Sequence, residues 1–380
     1  MSAWQIIIAP IQAMEGAMRR VQIVAVSFLA LSLAACGQGG GDAANGSASG
    51  QAMAPASDEL MRSARELFKV IPASYKDEPG NTATEAQVAL GNMLYHDPRL
   101  SGSHALSCAS CHNIGLGGGD DASTSVGHKW QEGGRNAPTV LNAVFNTAQF
   151  WDGRAKDLYE QAGGPIVNPI EMNSRPGHVP EQLKSIPGYP PLFAKAFPGD
   201  KQPVTLENAQ KAIAAFETTL ITPNAPFDKY LAGDATALST EQTDGLRLFI
   251  DKGCAACHNG INVGGAMYAK FGVVAAPAAK YRPAADKGRE AVTNEVSDEY
   301  SFKVPSLRNI ALTAPYFHTG SVWDLKEAVR VMGQAQLGQQ LSDEDVNKIS
   351  AFLDALTGDQ PKVMVPILPA SGPDTLRPDR

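Results

Sequence analysis

Cysteine is scarce in this chain of 380 residues, with five in all, too few and too scattered for a disulfide scaffold. Positive charge is also in short supply: 32 Lys and Arg stand against 39 Asp and Glu, a formal net charge of −7. That balance argues against a nucleic-acid partner and allows a partner with a basic docking face. Long apolar runs are missing. The longest, the 15 residues from Val21 to Ala35, is too short for a comfortable membrane span. Few segments alternate polar with apolar residues, so an extended sheet is not expected. Aromatic residues make up only 7 %, while 36 Gly and 26 Pro point to a loop-rich chain whose core needs help from something large and flat.

What that something is follows from where the cysteines fall. Four of the five form Cys108-Ala-Ser-Cys111-His112 and Cys254-Ala-Ala-Cys257-His258. C-x-x-C-H is the attachment pattern of c-type heme: two thiols form thioethers with the heme vinyl groups, and the adjacent His reaches the iron. A zinc ribbon is the alternative reading of paired C-x-x-C. It requires four thiols to converge across 146 residues, from Cys108 to Cys254, and leaves the His after each pair without a reason. The separation is about one domain length, so each heme is expected in its own domain.

The fifth cysteine, Cys36, closes Leu31-Ser-Leu-Ala-Ala-Cys36 after a basic pair, Arg19-Arg20, and the apolar run. This is the layout of a secretory signal. Its ending resembles a bacterial lipobox, which implies cleavage before Cys36 and lipidation of its thiol; an ordinary signal with an incidental cysteine is the alternative. Met18 makes a better start than Met1, because residues 1–17 put an apolar segment ahead of the basic pair. Residues 36–57 read as a flexible tether, with Gly37 to Gly50 almost entirely small and polar. Removing residues 1–35 takes away Glu15, Arg19 and Arg20, together +1, and leaves −8. The expected location is periplasm-facing and lipid-anchored. Gly37 rather than Asp after Cys36 favours the outer membrane over the inner.

Helical patterns occupy matching places in the two halves. Ser239 to Gln242 is a capping box before a helix with Leu246, Phe249 and Ile250 on one face, and Gly253 ends it as the second motif begins. Later, Ser342 caps a helix with Val346, Ile349, Phe352, Leu353 and Leu356 that runs to Gly358. In the first half, Thr84 to Tyr95 precedes the motif, and Leu206, Ala209, Ile213, Phe216 and Leu220 mark the late helix. Residues 58–70 add a lead-in helix carrying Leu60, Met61, Ala64, Leu67 and Phe68. The expected fold is mainly α: two cytochrome c-like domains, each wrapping one covalent c-type heme. The expected boundaries are 58–222 and 223–360, with an irregular tail over 361–380.

Two hemes alone could serve a plain electron carrier; the far-side iron ligands decide between carrier and enzyme. His112 and His258 are the proximal ligands. Composition does not choose the distal ones among His96, His104, His128, His178, His318 and the ten Met.

Longer motifs do. Arg135-Asn-Ala-Pro-Thr-Val-Leu-Asn142, Phe150-Trp-Asp-Gly-Arg154, Asn168-Pro-Ile-Glu-Met172, Val304-Pro-Ser-Leu-Arg-Asn-Ile310 and Ala314-Pro-Tyr-Phe-His-Thr-Gly320 follow the first heme motif in order. From about residue 58 to residue 360 the chain resembles bacterial di-heme cytochrome c peroxidases. The resemblance implies a low-potential, peroxidatic first heme with His128 as a removable distal ligand. It implies a high-potential, electron-entry second heme with Met332 as distal ligand. It further implies Glu171 as the active-site acid and base, Gln161 as its hydrogen-bonding neighbor, and Trp151 between the hemes. A calcium ion would be held by the Asn136 side chain and the carbonyls of Thr313 and Pro315. His318 is left open between a heme propionate and packing, and His96, His104 and His178 are read as structural or surface residues.

The activity implied is reduction of hydrogen peroxide to water with electrons from a small c-type cytochrome or cupredoxin, after activation by reduction of the second heme. The family often dimerizes, so a homodimer is an expectation that no single feature isolates. Two rivals remain. A relative that oxidizes a partner protein, as the methylamine-dehydrogenase-maturing members do, would carry Tyr where Met332 stands. A di-heme electron carrier would leave Glu171 without a purpose.

Overall fold

The computed structural model describes residues 56–74, 82–175 and 177–379. The leader, Cys36 and the tether up to residue 55 lie outside the described residues; residues 56 and 57, placed in the tether above, already belong to a helix.

In chain order the helices are α1 (Ala56–Leu67), α2 (Glu85–His96), α3 (Cys108–Cys111), α4 (Leu158–Val167), α5 (His178–Ser185), α6 (Tyr189–Ala196) and α7 (Leu206–Glu217). They continue with α8 (Pro226–Ala232), α9 (Thr240–Asp251), α10 (Glu290–Thr293), α11 (Leu325–Leu337) and α12 (Asp343–Asp354). Two three-residue strands, β1 (Tyr268–Lys270) and β2 (Ser301–Lys303), pair antiparallel with Tyr268 opposite Lys303. The fold is mainly α, as its sequence pattern implies.

The capping box expected at Ser239 forms, and the structure adds a second at Thr84. Thr84 and Gln87 exchange side-chain and main-chain bonds at the start of α2, and Ser239 and Gln242 do the same for α9. Ser342 caps α12, but that helix ends at Asp354 rather than reaching Gly358. The chain has to leave the helix there. Gly358 lies so close to the 222–223 main chain that an added Cβ would sit 2.0 Å from the Thr222 carbonyl oxygen.

Each half is built on a helix crossing with no side chain at its closest point. A Cβ added to Gly91 in α2 would stand 1.8 Å from the Ala212 carbonyl oxygen of α7, and one added to Gly245 in α9 would stand 1.9 Å from that of Lys348 in α12. The same device in both halves is the mark of one plan used twice. It lets the backbones approach closely enough to wall off a cavity beside each crossing.

Two large apolar cores result. The first gathers Leu90, Leu94, Tyr95, Ile213, Phe216 and their neighbors; the second gathers Leu246, Phe249, Phe352, Leu353 and Phe227. One element departs from the expected partition. Helix α1, assigned above to the first half by position, packs its Leu60, Met61 and Ala64 into the second core, and Phe68 just after it stands edge-on to Phe227 at 5.2 Å. Arg308 fixes it there: its guanidinium donates to the Lys69 and Ile261 carbonyls and pairs with buried Asp228 at 2.9 Å. The tail is irregular and runs back along the first half, where Asn92 donates to the Met364 carbonyl and Arg175 pairs with Asp379.

Candidate active site

The first heme motif opens on α3. The His112 main-chain N–H donates to the Cys108 carbonyl at 2.9 Å, and the Tyr95 hydroxyl donates to the His112 carbonyl at 2.6 Å. This short turn presents two thiols and an imidazole to one cavity of about 410 Å3, which Cys108, Cys111 and His112 all line. The second motif repeats the arrangement. The His258 N–H donates to the Cys254 carbonyl at 3.0 Å, and Cys254, Cys257 and His258 line a second cavity of about 240 Å3. No cysteine of the two motifs is in a disulfide. The two pairs face different cavities, and among the described residues no three His, Cys, Asp or Glu side chains gather as a metal site. The zinc alternative therefore fails.

These residues fit a covalent heme. Burial lowers the His112 imidazole and pushes that of His258 down to about 4, so both are neutral near pH 7, the form with a lone pair free for iron. Met332 lines the second cavity together with His258, on the helix α11. An apolar lining of Phe249, Leu325, Val329, Ile349 and Leu353 completes a slot suited to a flat macrocycle.

The two cavities share a wall. Asn136 to Thr139 and Trp151 line both. The Trp151 indole donates to the Asn136 carbonyl at 2.9 Å, and its own carbonyl accepts from Lys303 at 2.8 Å, so the ring is locked to both sides of the join. Around it the charges are matched. Arg135 pairs with Asp152 at 2.7 Å and with Asp286 at 2.6 Å, and Arg154 also reaches Asp152 at 3.1 Å. Thr313, Pro315 and Asn136 line the second cavity together, and the Asn136 amide nitrogen is occupied by the Ala122 carbonyl, leaving its oxygen as an acceptor. A set of neutral oxygens is the kind that calcium takes, with water completing the shell.

The first cavity is also lined by Gln161 of α4 and by Glu171 in the turn after it. The Asn168 amide donates to a Glu171 carboxylate oxygen at 2.7 Å. Burial raises the Glu171 carboxyl above its ordinary value, against the opposing pulls of Arg154 and the Asn168 bond. A carboxyl raised in this way is suited to passing a proton in both directions.

His128 sits beside this group, held by its main chain to the turn that carries Glu171. Its main-chain N–H bonds to the carbonyls of Ile170 and Glu171, and its ring is buried, with Nδ1 unpartnered. Ser125, Gly127 and Gly133 of the same loop line the cavity; His128 is not among the lining residues. The loop is held in an uncommon conformation. Lys129 and Trp130 both have positive φ, and Trp130 is 88 % exposed. His318, left open above, is buried in the second cavity wall, stacked on Phe302 at 4.2 Å. His178, read as structural or surface, is buried with neither ring nitrogen bonded.

Two groups went unnoticed in the sequence. Glu217, the last residue of α7, lines the first cavity with one carboxylate oxygen unpartnered, and burial pushes its carboxyl up to about 8. It follows Ala209 and Ile213 at intervals of four, so it stands on the apolar stripe of its helix, and that was the available signal. Lys303 lines the second cavity, and burial lowers its ammonium to about 8.

Comparison with known proteins agrees with this geometry. Residues 85–236 match the profile described as di-haem cytochrome c peroxidase, and residues 242–357 match that of cytochrome c. The chain is 56 % identical to the cytochrome c551 peroxidase of Pseudomonas aeruginosa, over 84 % of this chain and 93 % of that one. It is 52 % identical to the cytochrome c551 peroxidase of Nitrosomonas europaea, over 76 % and 85 %. Among solved structures, a MauG-like protein associated with microbial copper homeostasis superposes with a TM-score of 0.67 at 27 % identity, covering 76 % of this chain and 94 % of that one.

Proposed function

The chain belongs to the di-haem cytochrome c peroxidase family, an enzyme with two hemes that acts on hydrogen peroxide, and from that premise we propose a gated peroxidase whose parts are divided between its two cavities. The hemes supply the iron that binds peroxide and the two electrons that reduce it. His112 would hold the first iron, His258 and Met332 the second, and Cys108, Cys111, Cys254 and Cys257 would carry the thioethers. His/Met ligation raises a heme potential relative to two nitrogen ligands, so electrons enter at the second cavity. Trp151, lining both cavities, stands on the path between them.

His128 is the gate. It closes the first site in the resting enzyme and withdraws when the second site has been reduced, a switch between two loop arrangements. Positive φ at Lys129 and Trp130 and the solvent-exposed Trp130 ring support a loop able to change its arrangement. With the gate open, Glu171 takes a proton from one peroxide oxygen and returns it to the other, which departs as water. Gln161 orients the peroxide beside it, and Asn168 keeps the Glu171 carboxylate in place. The observation that carries this reading is a raised carboxyl lining the same cavity as one C-x-x-C-H site, joined by a shared tryptophan wall to a second such site that contains a methionine.

Asn136, Thr313 and Pro315 would hold calcium across the join. A small c-type cytochrome or cupredoxin would donate the electrons, and Cys36 would tether the enzyme by lipid on the periplasmic side, at the outer membrane. A homodimer is part of the same proposal. Met332 in the second cavity is what separates this chain from tyrosine-bearing relatives that oxidize a partner protein. The direct test is steady-state oxidation of a reduced small c-type cytochrome by peroxide. Pre-reduced wild-type enzyme should turn over at once, and H128A should need no pre-reduction. A requirement for pre-reduction that persists in H128A would remove His128 from the gate.

A further inference from the structure

Lys303 is a buried cation without a matching anion. It ends β2, its main-chain N–H is fixed to the Trp151 carbonyl at 2.8 Å, and the residue is 6 % exposed. The acids grouped around Arg135 already have a cation. Asp152 takes Arg135 and Arg154, and Asp286 takes Arg135 with His318 at 3.8 Å. Asp120 and Asp121 line the same cavity, yet neither forms an ion pair with Lys303 among the described residues. His258 and His318, the cavity's imidazoles, are both lowered by burial and carry no charge near pH 7. Burial pulls the Lys303 ammonium down to about 8.

An isolated buried ammonium is expensive, and a partner arriving with what fills the cavity would offset that cost. The chain offers none, so the partner comes with what fills the cavity. Heme carries two carboxylates. We propose that the Lys303 ammonium pairs with a heme carboxylate in the second cavity and that its positive charge favors the reduced form there, raising the midpoint potential of the electron-entry site. Lys303 is thus a positioning and potential-setting residue rather than a catalytic one. This inference rests on the reading of the second cavity as the His258/Met332 site.

The experiment is a spectroelectrochemical titration of the full holoprotein as wild type, K303M and K303R, with the methionine-to-iron charge-transfer band recorded alongside. K303M should shift the oxidized-to-reduced equilibrium of the second heme about tenfold toward oxidized, about 59 mV for one electron, with the first heme moved far less. K303R should restore most of that shift. A K303M shift below twofold, or equal shifts at both hemes, would overturn the proposal. If K303M fails to take up heme, K303Q against K303R decides it: equal potentials in those two would also overturn it. Absence of the band in wild type would instead sink the assignment of the site, and the inference with it.

Discussion

Replacing Glu217 by Gln should change how stability depends on pH, and the structure gives the size. The carboxyl is buried in the first cavity wall with an unpartnered oxygen, and burial alone raises it from an ordinary 4.5 to about 8. Below 4.5 the group is protonated in both folded and unfolded chains, and its burial carries no charge penalty. As pH rises toward 8, the unfolded chain ionizes this carboxyl while the folded one keeps its proton, so stability present at low pH is progressively lost. A separation of about 3.5 pH units at about 1.36 kcal/mol each gives a loss of about 5 kcal/mol, complete above pH 8. Glutamine keeps the volume and cannot ionize. Chemical denaturation of the holoprotein at pH 5 and at pH 8.5 reads the difference directly. E217Q should come within about 1 kcal/mol of wild type at pH 5 and exceed it by several kcal/mol at pH 8.5. Parallel profiles for the two proteins would mean that Glu217 is paired or solvated, and the reasoning would fail.

Other expectations follow from the same geometry. E171Q keeps the Asn168 hydrogen bond, since the amide oxygen still accepts it, but cannot carry the proton; the single-turnover rate with peroxide should fall by about 10²–10⁴, read by stopped flow, and a rate within threefold of wild type would refute the role. G91A and G245A each force a Cβ into a facing carbonyl oxygen, at 1.8 Å and 1.9 Å. Overpacking of about 1–3 kcal/mol or more should outweigh the roughly 1 kcal/mol that Ala gains over Gly in a helix, so thermal unfolding should show both variants destabilized. D228N strips the anion from the buried Arg308 pair and should cost about 3–5 kcal/mol, measurable by the same unfolding; an unchanged midpoint would show that the pair does not anchor α1.

How much of this was legible beforehand can be traced residue by residue. The heme motifs declare themselves because covalent attachment fixes both residue type and spacing. The capping box at Ser239 is local, spanning Ser239 to Gln242, and forms as read; the matching box at Thr84 is equally local but was read only as a helix start. The placement of α1 is different. Its apolar face shows that it packs, but which core receives it is decided by Asp228, Arg308 and Phe227, more than 150 residues away, and no local pattern names them. The early end of α12 has the same origin, in the close approach of Gly358 to the 222–223 backbone. Lys303 lay hidden between Phe302 and Val304, where a charge reads as the outward residue of a strand; only the cavity behind β2 makes it a buried one.

The central claim is that reduction of the second site opens the first. An optical and EPR titration of the holoprotein from fully oxidized to half-reduced, with peroxide added to each form, tests it most directly. Half-reduction should turn one low-spin heme high-spin, and only that form should consume peroxide. If both irons keep six ligands on half-reduction, or if the fully oxidized enzyme reacts equally well, the gate assigned to His128 does not exist.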